Sequence, residues 1–233
     1  MTVREDVVVS AAVRDKLGSS LGQVLDSLWV IDCQTCNQPM AGRRPALSVD
    51  DLTSFASASL HHHECRQSTW NDDHQLRTAQ GATLSHRTWC ALIPVTYGDN
   101  VGEEIKPFVL INPGLEMIYI QRGPLGQWTV EPNGAFIGAG FAPPPFTSKS
   151  VEGAVATLRG KELTVSFKSG LLGPYGVTLN RQARDLVEAE GGVVVVMTHA
   201  IDPHEVTDPA QLEPVLRGDR TVMGFTKLAR RAG

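Results

Sequence analysis

Four residues carry the most specific chemistry in this chain: Cys33 and Cys36, separated by two residues, then His62 and Cys65, again separated by two. Thiolate and imidazole donors bind Zn²⁺ tetrahedrally, and each pair can offer both donors from one tight turn. The 25 residues between Cys36 and His62 (37–61) are enough to fold back and close the site. The set predicts a Cys₃His centre with Zn²⁺ as its cofactor. The run His61-His62-His63 leaves open which imidazole is the ligand. A redox Cys33/Cys36 pair is the main competing reading, but it explains neither Cys65 nor the histidines, and no helix start follows it to lower a thiol pKa. Four protein ligands leave no position for water, so the expected role is structural. Such a zinc contributes on the order of 10 kcal/mol to folding, more than a small hairpin gathers from burial, so removing one ligand is expected to unfold the module.

The elements that must position these residues follow from hydrophobic spacing. Val13, Leu17, Leu21, Val24, Leu25 and Leu28 recur at three and four, an amphipathic helical stripe that Gly18-Ser19-Ser20 either kinks or divides in two. After Cys36, the turn-rich Asn37 to Gly42 leads into strand-like Ala46 to Val49 and Phe55 to Leu60, separated by Asp50-Asp51, a β-hairpin that returns the second pair to the first. Residues 66–87 are polar and predict a short helix at most, then a linker. From Trp89 onward, short apolar segments rich in β-branched and aromatic residues (Trp89 to Val95, Phe108 to Ile111, Met117 to Ile120, Trp128 to Val130, Leu163 to Phe167) predict a β-sheet. Gly134 to Gly140 and Pro143 to Pro145 read as a long loop. Near the end come a helix over 181–190 capped by Asn180, a buried strand over 193–197, a helix over 209–217 started by Asp208, Pro209 and Gln211, and a strand over 221–225.

Over residues 31–74 the order Cys-x₂-Cys, hairpin, His-x₂-Cys resembles the treble-clef family of zinc modules, in particular the half-site of LIM-type fingers. That resemblance implies a knuckle carrying Cys33 and Cys36 and a helix starting at the pair His62 and Cys65. It implies metal binding, not an activity. No second quartet follows, so a tandem LIM-like domain is excluded. The nuclease branch with an HNH-type treble clef is also similar in residue types, through His61, His63, Asn71 and His74, but the acidic residue that precedes the histidine pair there is Leu60 here.

A second candidate follows the strand at 193–197. His199, Asp202, His204 and Glu205 stand at its carboxyl end, where catalytic groups of open sheets collect, and could bind a metal or serve as acid and base. Asp202-Pro203 is equally an ordinary turn starter. The glycines at 134–140 lack a nucleotide-binding order. Trp70, Trp89 and Trp128 could stack on single-stranded nucleic acid, though Trp89 and Trp128 lie in strand-like runs that favour core packing. Lys227 to Arg231 is a short basic tail.

Charge narrows the partners. Residues 1–90 carry 8 Lys/Arg against 10 Asp/Glu, and residues 91–233 carry 13 against 15, so neither half has the basic surplus of a duplex-binding domain. Apolar runs are too short to span a bilayer, the first residues lack a secretory layout, and the cysteines do not form a disulfide framework, so the expected setting is cytoplasmic. The expected architecture is α+β: a helical segment over 1–30, a zinc module over 31–74, and a mostly antiparallel sheet domain with two C-terminal helices over 88–233, with no family resemblance. The expected function is a protein-binding or adaptor module. A hydrolase or nuclease, and a zinc-finger regulator of nucleic acid, are the alternatives, and a homo-oligomer is left open.

Overall fold

A computed structural model describes residues 6–77, 85–96, 103–130, 133–145, 149–168 and 173–229. The chain mixes helix with a larger share of strand in several sheets. It divides into two compact units, residues 1–86 with 114–132, and residues 87–113 with 133–233.

The first unit begins with α1 (Ala11–Leu17) and α2 (Leu21–Leu25), joined by a 3₁₀ turn at Gly18–Ser20. Ser10 caps α1 by accepting the Val13 N–H, and Gly18 at φ +51° ends it, so the apolar stripe is carried by two short helices rather than one. Its residues Val13, Leu17, Val24, Leu25 and Leu28 are all buried. The hairpin β1 (Pro45–Asp51) and β2 (Phe55–His62) pairs Pro45 with His62 and Asp51 with Ala56. Strand β3 (Trp70–Asn71) runs parallel to β1, in a stretch where at most a short helix and then a linker were expected. The chain then contributes β4 (Arg87–Thr96) and β5 (Glu103–Asn112) to the second unit and returns to the first with β6 (Met117–Arg122) and β7 (Trp128–Val130). The sheet order is β3-β1-β2-β6-β7. Helical Val13 and Leu17, strand Leu47, Ala58, Leu60 and Ile118, and Cys33 share one core.

In the second unit, α3 (Gly134–Gly138) replaces part of the expected glycine loop, and β8 (Ala154–Arg159), β9 (Glu162–Phe167) and β10 (Tyr175–Thr178) form a three-stranded antiparallel sheet. Helix α4 (Arg181–Glu190) has the Asn180 side chain on the Ala183 N–H and ends at Gly191, whose φ of +66° suits glycine. Strands β11 (Gly192–Thr198) and β12 (Thr221–Lys227) complete a four-stranded sheet β12-β11-β5-β4, in which β11 and β5 are parallel. Between them, Asp208 Oδ1 accepts the Ala210 N–H while Gln211 Oε1 accepts the Asp208 N–H. This capping box opens a 3₁₀ turn, Pro209–Gln211, and only then α5 (Leu212–Leu216). The basic residues Arg230 and Arg231 lie outside the described residues. Among the described residues no helix is long and apolar enough to cross a membrane.

Candidate metal centre

The first cysteine pair stands on a knuckle. Asp32 bridges to Pro39, the Cys33 N–H donates to the Gln38 carbonyl (2.9 Å), and the Asn37 N–H donates to the Cys33 carbonyl (2.8 Å). Asn37, just past Cys36, adopts φ +55°, a left-handed conformation that Asn tolerates better than most side chains. The second pair stands where β2 ends: the Cys65 and Arg66 N–H groups both donate to the His62 carbonyl (2.9 and 3.0 Å), closing a turn. A turn therefore stands where the treble clef has the start of a helix.

These two turns bring Cys33, Cys36, His62 and Cys65 together, with one donor atom from each lying within 4.8 Å of the others. His62 Nδ1 is 3.5 Å from Cys36 Sγ and 3.7 Å from Cys65 Sγ. A tetrahedral zinc with ordinary Zn–S and Zn–N bonds has a sulfur-to-nitrogen edge of about 3.6 Å. The donor set and spacing therefore fit Zn²⁺. Supporting bonds fit as well. The other ring nitrogen, His62 Nε2, donates to the Pro39 carbonyl at 3.1 Å, which leaves Nδ1 to face the sulfurs. Cys33 Sγ accepts the N–H groups of His62 (3.2 Å) and Thr35 (3.4 Å).

The thiols feel one another. Burial pushes the Cys33 pKa up, but the N–H groups of His62, Thr35 and Cys36 outweigh it and hold the thiol below its usual range. At Cys65, desolvation of the sulfur, then Cys36 and Cys33, push the thiol up to about 11. Thiols this close resist ionising together on their own. A divalent cation bound at their centre would supply the charge that holds them as thiolates.

Strand alternation separates the three histidines. Ala56, Ala58 and Leu60 pack into the core and His62 continues their parity, while His61 follows Ser57 and Ser59. His61 is fully buried, with Nδ1 2.8 Å from Thr35 Oγ1 and Nε2 2.9 Å from Ser59 Oγ. Burial, with Arg66 nearby, lowers its pKa to about 4, so it is neutral at ordinary pH. His74 Nδ1 lies 3.1 Å from Thr53 Oγ1, and Asn71 donates to Asp50 Oδ1 at 2.7 Å. Sequence reading did not single out Asp50, a buried carboxylate that also pairs with Arg66, the residue after Cys65, and accepts the Arg77 N–H at 2.9 Å. The alternating polar parity of β1 was its only signal.

The second candidate cluster does not converge as a set of metal-type donors. Asp202 Oδ1 accepts the His204 N–H (2.9 Å) as the cap of a 3₁₀ turn, and its Oδ2 lies 3.4 Å from Arg87 Nη1. Arg87 also reaches His204 Nδ1 at 3.0 Å. A cleft of about 470 Å³ is lined by His204, Cys90, Glu162 and Thr178, but by neither His199 nor Asp202. Among the described residues, the Cys₃His group is the one set of metal-type donors that converges. Trp128 is buried and packs against half-buried Trp70, with ring centroids 5.4 Å apart. Comparisons with protein-family models, curated proteins and solved structures find no match to this chain.

Proposed function

We propose that this chain is a cytoplasmic zinc-binding protein in which Cys33, Cys36, His62 and Cys65 hold one structural Zn²⁺, and that the first unit, so fixed, serves as a protein-binding module. The carrying observation is the donor set: four protein atoms lie within 4.8 Å of one another, and four protein ligands on one zinc leave no coordination position for a reacting water. The ion's work is then to tie the knuckle to the end of β2.

Two further observations support a protein partner. The net charge of −4 is unsuited to polyphosphate. Phe55 and Tyr119, 40% and 45% exposed, pack edge to face on neighbouring strands, and Leu125 is 93% exposed. Exposed aromatic side chains on a rigid sheet suit the anchor positions of protein interfaces. The test joins metal analysis with binding. Wild type is expected to carry zinc that Cys36→Ser loses, and to show no binding to single- or double-stranded oligonucleotides by fluorescence anisotropy. Binding that weakens steeply with added salt would favour the nucleic-acid reading instead.

A further inference from the structure

The three sulfurs of the proposed zinc site are not equivalent. Cys33 is fully buried, and backbone N–H groups of His62 and Thr35 point at its sulfur. Cys36 is half-buried and Cys65 is exposed, and their sulfurs face His62 Nδ1 instead. An N–H aimed at a thiolate draws off its charge and weakens it as a nucleophile, while burial bars an oxidant. Cys33 has both protections and Cys65 has neither. Three thiolates around a dication also leave the site one negative charge in excess, so the sulfurs keep nucleophilic character. Arg43, 3.3 Å from His62 Nδ1, is a cation at the mouth of the site.

Resting on the zinc reading above, we propose that Cys65 is an oxidative modification site: its sulfur is the first to react with hydrogen peroxide, Cys36 resolves the product, and the resulting Cys36–Cys65 disulfide dismantles the metal centre. The Cys65 sulfur forms a bond to one peroxide oxygen, the O–O bond breaks, and the other oxygen leaves as hydroxide. The Cys36 sulfur, within 4.8 Å, then attacks the Cys65 sulfur, an S–S bond forms, and the oxygen on Cys65 leaves as a second hydroxide. Two thiolates have lost two electrons, and one peroxide has become two hydroxides. Cys33 and His62 alone cannot complete a tetrahedral site, so the centre opens, and a dithiol with added zinc restores it. Cys90 serves as an internal control, since burial pushes its thiol up to about 11 and keeps it protonated.

The test is made on the full chain. Zinc content is measured first, so that protein lacking zinc counts against the metal reading and not against the order of oxidation. Zinc-loaded protein is then titrated with hydrogen peroxide, released zinc is followed with a chromogenic chelator, and disulfides are mapped by mass spectrometry after alkylation. The expected result is zinc release in step with a Cys36–Cys65 disulfide, with Cys33 and Cys90 still alkylated and the release reversed by dithiol and zinc. Cys65→His keeps four donors but loses the attacking sulfur, and its release is expected to be at least about tenfold slower. Zinc retained while Cys90 or methionine oxidises, a first disulfide containing Cys33, or release from Cys65→His at the wild-type rate would each overturn the proposal. If Cys65→His takes up no zinc, the wild-type map decides.

Discussion

His61, His62 and His63 are neighbours on the chain, and only His62 reaches the sulfurs. His62→Ala is therefore expected to lose zinc, while His61→Ala keeps it and loses about 1–3 kcal/mol of stability, because the hydroxyls of Thr35 and Ser59 are left without their buried partner. Metal analysis and thermal melts of the two variants check this. Asp50→Ala is expected to cost about 3–5 kcal/mol in urea melts, since it strands the Arg66 guanidinium against a buried position. Much of this scale was legible in the sequence. The paired spacings gave the cluster, and the parity of Ala56, Ala58 and Leu60 pointed to His62 once β2 was known. Asp50 was barely legible, because the parity of β1 was its one local signal and an Asp-Asp pair at a strand end reads equally as a turn.

Among the elements, β6 and the knuckle meet at Glu116. This fully buried carboxylate accepts the N–H groups of Asp32 (3.1 Å) and Ser85 (3.3 Å). Burial outweighs those donors and raises its pKa to about 7. Its neutral form has an acceptor at hand: Gln34 Nε2 lies 3.4 Å from Glu116 Oε2, and Gln34 Oε1 is unpartnered, so a half-turn of the amide places Oε1 against the carboxyl proton. With the folded pKa above the unfolded one, Glu116 contributes stability that is complete below the ordinary carboxyl range and is lost as pH rises through about 7. Wild type is expected to lose about 1–2 kcal/mol from this group between about pH 6 and about pH 8.5, and Glu116→Gln to flatten that slope. Urea melts at both ends of the range check it, and an unchanged slope would refute it. The hairpin and the caps at Asn180 and Asp208 were legible because their signals are local. The return of β6 and β7 to the first sheet was not, since a strand's own residues do not name a distant partner. Three glycines within 134–140 likewise hid the short α3.

At the scale of the molecule, each unit has its own apolar core: Val13, Leu47, Leu60 and Ile118 belong to the first, and Val109, Val165, Val187 and Val195 to the second. The four proposed metal donors all belong to the first unit. A strong chelator is therefore expected to lower the stability of the first unit and to leave the second folded. Hydrogen exchange should show faster exchange in β1 and β2 and unchanged protection in β11 and β12. Loss of protection in both units together would show that the metal's effect is not confined to the first. The most direct measurement is the zinc content of the purified, folded chain by native mass spectrometry, beside Cys36→Ser and Cys65→Ser. One zinc per wild-type chain, absent from both variants together with a lower melting temperature, is the expected result. A well-folded wild type with no zinc, or zinc retained in both variants, would contradict it.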